Sequence, residues 1–138
     1  MSTTVQKLAA VFGVVFILVG LAGIFTSGGA GMHAGRELDQ FPKLLGLFPV
    51  NLAHNIVHIG FGLWGLAASR SFGGSVGFMK IGGIIYLVLA AAGLALPTTM
   101  GYIPIGGNDV WLHALLGIVM VAIGFTTKDT TVTTTAAA

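Results

Sequence analysis

Residues 49–68 read P-V-N-L-A-H-N-I-V-H-I-G-F-G-L-W-G-L-A-A. The stretch is apolar, and its length is near the ~20 residues that cross ~30 Å of hydrocarbon, so it reads as a transmembrane helix. Its first half carries Asn51, His54, Asn55 and His58. Spaced at i, i+3, i+4 and i+7, these four share one helix face. Polar side chains are expensive in lipid, so this face is expected to meet protein, water or a ligand.

Composition agrees with a membrane span. Of the 138 residues, 55% are hydrophobic and 7% are charged, whereas a soluble domain carries about 25% charged residues. The mean hydropathy is +0.96. The chain therefore reads as a single integral membrane domain. A net charge of +2 is too small and too scattered for a nucleic-acid surface. With no cysteine there are no disulfides, thiolate metal sites or cysteine nucleophiles. The 22 glycines suit helices whose backbones approach closely.

Outward from the central stretch, the pattern predicts four transmembrane helices at about residues 8–25, 49–68, 76–96 and 109–125. The fold class is thus an all-α membrane protein, a four-helix bundle within residues 1–125. The first span is read as an uncleaved helix, because a signal h-region is shorter, about 7–15 residues. Residues 26–48 form the longest connection, with a short interfacial helix expected over 36–47 and His33 as a solvated loop residue. Pro49 is expected in the first turn of the second helix. Residues 69–77 are expected as a flexible link. Asn108 is expected to cap the fourth helix, with Asp109 in the positive field of its N-terminus. Trp111 and Tyr102 suit an outer aromatic belt, and Trp64 a packing or lipid-facing place. Residues 126–138 form a low-complexity polar tail.

Lys7, Arg70, Lys80 and Lys128 fall on one side of such a bundle, and Arg36 and Lys43 on the other. The positive-inside rule then puts both termini in the cytoplasm. The polar residues of the second and fourth helices lie at similar depth in the outer half, with His58 deepest at roughly 13 Å from Pro49 by the ~1.5 Å rise per residue. A weak repeat accompanies them: His54-x3-His58-x3-Gly62 lies over Asp109-x3-His113-x3-Gly117. This predicts two helical hairpins in parallel orientation. Glycine seams are expected at Gly13 and Gly20, Ala53 and Gly60, and Gly117 and Gly124.

The runs N-L-A-H-N-I-V-H-I-G-F-G (51–62), Y-L-V-L-A-A-A-G-L (86–94) and G-G-N-D-V-W-L-H (106–113) resemble a bacterial family of small four-helix membrane proteins known as domain of unknown function 4383. The resemblance covers most of residues 8–125. It implies four membrane helices and a shared plan for the polar stripe, and it brings no catalytic assignments.

The leading functional expectation is a small accessory or scaffold subunit that packs against other integral membrane proteins or into an oligomer. Asn51, His54, Asn55, His58, Asn108, Asp109 and His113 would then form a structural polar network. The alternatives use the same residues as ligands. A haem takes one histidine from each of two facing helices, so His54 or His58 with His113 could hold it. A chlorophyll needs one axial histidine, with Gly60, Gly62 and Gly117 making room for the ring. A divalent metal suits His54, His58, His113 and Asp109. No nucleophile–base–orienter arrangement is found, so an enzyme is the least supported class. The expected location is the bacterial cytoplasmic membrane or a photosynthetic one.

Overall fold

The computed structural model describes residues 2–28, 31–32 and 35–128. His33 and residues 129–138 of the tail lie outside the described residues. The chain is an all-α membrane protein of four helices: α1 (Thr4–Thr26), α2 (Leu52–Ala68), α3 (Phe72–Ala95) and α4 (Asn108–Thr126). Three of them, α1, α3 and α4, are long and apolar enough to cross a membrane. At 17 residues, α2 stands at the short limit of spanning helices.

Caps set the helix ends, and they correct four expected boundaries. Thr3 and Gln6 form a capping box, so α1 starts at Thr4 and takes in the polar lead. Ser71 accepts from the Gly74 amide, so α3 starts at Phe72 and the expected flexible link is mostly helix. Asn51 caps α2, and Pro49 lies in a short strand rather than in the first helical turn. Gly107 stands at the N-cap of α4 with a φ of 62°, which a glycine adopts at no steric cost, so Asn108 is the first helical residue and not the cap.

The interfacial helix expected over 36–47 does not form. Pro42 and Gly46 interrupt it. The chain makes a 3-10 turn (Leu38–Gln40) and then a two-stranded hairpin, β1 (Lys43–Leu44) against β2 (Phe48–Pro49). The turn between the strands uses left-handed backbone at Leu45 and Gly46.

The helices pair as two antiparallel hairpins, α1 with α2 and α3 with α4, through backbone contact at glycines. A Cβ on Gly13 would stand 2.8 Å from the Gly62 carbonyl oxygen and 2.8 Å from the Leu66 amide nitrogen. A Cβ on Gly83 would stand 3.0 Å from the Gly117 carbonyl oxygen and 2.7 Å from the Val121 amide nitrogen. The two sets correspond residue for residue: Gly13, Ile17 and Gly23 on α1 match Gly83, Leu87 and Gly93 on α3. Asn55, Gly62 and Leu66 on α2 match Val110, Gly117 and Val121 on α4. The constant offset within each helix pair makes the weak sequence repeat a structural one. One expected seam fails: a Cβ on Gly60 would meet open space, and the contact face of α2 runs through Gly62 and Gly65 instead.

Aromatic rings join the hairpins. Phe16 and its counterpart in the repeat, Tyr86, stack at 5.3 Å and 11°. Phe61 meets Tyr86 edge-on at 5.3 Å, and Trp64 meets Phe78 at 5.0 Å. At one end Gln6 Nε2 donates to the Ser69 carbonyl, and Lys80 sits 4.7 Å from the Phe125 ring centre. The opposite end gathers the starts of α2 and α4 under the β-hairpin.

The glycine contacts give a direct test. Gly83→Leu forces a branched side chain onto the α4 backbone and should cost about 1–3 kcal/mol or more, read as a lower unfolding temperature of the detergent-solubilised protein. Gly60→Leu points into open space and should leave that temperature unchanged.

Candidate functional site

The site is built at the start of α2 and α4. Asn51, fully buried, fixes the entry to α2. Its Oδ1 accepts from the His54 amide at 2.9 Å. Its Nδ2 donates to the carbonyls of Met32 at 2.7 Å and Tyr102 at 2.6 Å. One side chain therefore holds the first loop, the third loop and the helix that carries the histidines.

From that start the 3.6-residue period turns His54 and His58 the same way. Their rings stack at 4.7 Å and 17°. The His58 Nδ1–H donates to the His54 carbonyl at 3.1 Å, which leaves Nε2 as the ligand atom of His58. His113 of α4 comes to 6.2 Å from the His54 ring, centre to centre. One ring nitrogen each of His54, His58 and His113 lies within 4.8 Å of the others. Asp109 Oδ2 stands 3.6 Å from His54 Nδ1, too far for a direct hydrogen bond.

Burial sharpens the point. His54, Asp109 and His113 are 4%, 2% and 3% exposed, while His58 is half-buried. His54 Nδ1, Asp109 Oδ2 and His113 Nδ1 have no hydrogen-bond partner. Asn55 Nδ2, on the side toward α1, is a fourth such atom, and buried polar atoms are nearly always partnered, so these groups are the ones among the described residues with bonding capacity to spare. A cavity of about 120 Å³ adjoins them, lined by His54, His58, His113 and Asp109 and roofed by Leu44 and Phe48 of the hairpin.

The two polar stripes thus face each other, as their common depth suggests. Two members of the expected network stand apart. Asn55 turns toward α1 and fills the notch at Gly23. Asn108 is exposed, donating to the Leu47 carbonyl and accepting from Trp111 Nε1. Trp64 takes the packing place against Phe78. Sequence reading missed Tyr86, whose ring meets His113 edge-on at 5.2 Å. Its signal in the sequence was its place at the head of the run 86–94, and the glycine contacts make it the counterpart of Phe16.

The geometry discriminates between ligands. The glycines expected to make room for a flat macrocycle do not do so: the notch at Gly62 is filled by Ile17 and the one at Gly117 by Leu87, and Gly60 does not line the cavity. The three nitrogens, within 4.8 Å of one another, are near the ~3.4 Å separation that tetrahedral zinc with Zn–N of ~2.0–2.1 Å sets.

Comparison with known proteins adds a family. A family model described as Domain of unknown function (DUF4383) matches residues 6–126. No curated protein and no solved structure matches the chain.

The role of Asn51 is testable apart from any ligand. Asn51→Ala removes the cap, worth about 0.5–2 kcal/mol, and strips the Met32 and Tyr102 carbonyls of their donor. Thermal unfolding in detergent should show a larger loss than Asn108→Ala, which removes only exposed contacts.

Proposed function

The chain belongs to the DUF4383 family, a domain of unknown function, and we propose that it binds a divalent transition metal inside the membrane through His54, His58 and His113. The observation that carries this reading is the convergence of three imidazoles, with unpartnered buried nitrogens on His54 and His113, on one small cavity. Imidazole suits zinc, copper, iron and nickel, and three histidines with an open fourth position suit zinc. The His58 bond to the His54 carbonyl is the outer-shell contact that orients a ligating histidine. Asp109, beside His54, supplies the negative charge that a buried cation needs.

The positive residues support an orientation for this site. Lys7 and Lys80 lie near the starts of α1 and α3, and Arg70 and Lys128 just past the ends of α2 and α4, so under this reading both termini are in the cytoplasm and the metal is in the outer half of the cytoplasmic membrane. A second reading, the accessory subunit, is favoured by one feature: Ala10, Val11, Val14 and Val15 form a shallow apolar groove of about 280 Å³ on α1. Under that reading the groove receives a helix of a neighbouring membrane protein.

Metal analysis of the purified protein decides the first reading. We expect one zinc equivalent per chain after dialysis against the metal. His58→Gln and His113→Gln should each abolish it with helix content retained. Asp109→Asn should weaken binding by about 10–100-fold, the range for residues that support ligands. Wild-type protein that keeps no zinc, cobalt or copper overturns the proposal.

A further inference from the structure

The repeat makes the two seams between hairpins comparable, and they differ. At the α2–α3 seam, Phe61, Trp64 and Phe78 interlock, with ring centres 5.6 and 5.0 Å apart. By the register fixed at the glycines, Phe61 corresponds to Leu116, Trp64 to Val119 and Phe78 to Leu8. At these three positions the α1–α4 seam has aliphatic side chains where its counterpart has rings, although Phe12 stands where the counterpart has Gly82. The seam leaves a cavity of about 220 Å³ lined by Val11, Phe12, Val15, Phe16, Leu116 and, as its polar wall, His58. It shares Val19, His58, Leu112 and Leu116 with the cavity at the histidines. His58 is the half-buried member of the cluster and the one that faces both spaces.

Resting on the metal reading above, we propose that this cleft admits a single-chain amphiphile with a monoanionic head, a long-chain carboxylate, from the bilayer, and that its head takes the open coordination position. Charge selects the head. A divalent ion held by three neutral imidazoles beside one Asp109 carboxylate keeps one positive charge, and a buried net charge is costly. One further anion neutralises it. The corridor selects the chain. It is apolar from His58 down to Val11, and Val19 to Val11 spans about 12 Å at ~1.5 Å per residue. A head at the histidines and a tail toward mid-bilayer is the orientation that an acyl chain already has in its leaflet.

The experiment uses the full chain in lipid nanodiscs, loaded with Co²⁺ as a spectroscopic stand-in for zinc. Laurate should change the visible Co²⁺ bands. Dodecanol, which has the chain without the carboxylate, and acetate, which has the carboxylate without the chain, should not. Val11→Trp fills the cleft from a position that does not line the cavity at the histidines. It should keep Co²⁺ affinity and weaken the laurate response at least ten-fold. Val15→Trp, at a position 47% exposed and so tolerant of a larger side chain, should do the same. A nitroxide-labelled stearate reads the cleft independently of the metal, and should be immobilised by the wild type and free with both variants. Unchanged Co²⁺ bands with laurate overturn the proposal and leave the metal reading standing, as do equal effects of acetate or full laurate response in both filled variants. Failure of the wild type to take up Co²⁺ overturns the metal reading and head coordination together, whatever the stearate shows.

Discussion

The Asn51 side chain is the constraint from which the rest follows. In hydrocarbon, each backbone polar group must find its partner within the protein. Asn51 answers three such demands at once, capping α2 and holding the Met32 and Tyr102 carbonyls. It thereby ends the strand at Pro49, starts the helix at Leu52 and sets its rotation. With that rotation fixed, His54 turns toward α4 and His58 toward the cleft between α1 and α4. Asp109 and His113 meet them there because Gly107 starts α4 at the matching level.

Close backbone approach supplies the second constraint. Gly13 against Gly62 and Gly83 against Gly117 bring helices together without side chains between them. Each hairpin is then a close-packed pair, and side chains fill the joint between pairs. Phe16 on Tyr86 closes the centre of that joint, and the rings around Trp64 close one flank. The other flank carries smaller side chains. Near-symmetry of backbone with unequal filling of seams puts the histidines at the centre and gives them one open side.

Much of this was legible in the residues. The long apolar runs gave four helices, and the spacing of His54, His58, Asp109 and His113 gave two polar stripes at one depth; that the stripes face each other follows from helix order and rotation, which spacing does not fix. Boundaries were less legible where a cap competed with another signal. Pro49 suits a first helical turn, but the Asn51 cap two residues later is the stronger start. Ser71 caps a helix through a glycine-rich segment that reads as a link. Residues 36–47 carry helix-like apolar spacing, yet Pro42 and Gly46 break the backbone. Gly60 looked like a seam because seven-residue spacing does not say which face meets a neighbour. Tyr86 was hidden because an apolar run does not show which residue points inward. The open flank was invisible until the glycine contacts fixed the register that aligns Leu116 with Phe61.

The pairing of polar with apolar helices also bears on how the chain is made. Helix α2 is the shortest and carries His54, Asn55 and His58, so alone it is a poor solute for lipid. Helix α1 precedes it, with Gly13, Gly20 and Gly23 forming notches for the α2 backbone and for the Asn55 side chain. Synthesis runs from the N-terminus, so α1 is in place when α2 emerges. The same order holds for α3, whose Gly83 and Gly93 form notches for the α4 backbone and for Val110. Ribosomal order thus delivers each polar helix into the bilayer behind an apolar one already shaped to receive it.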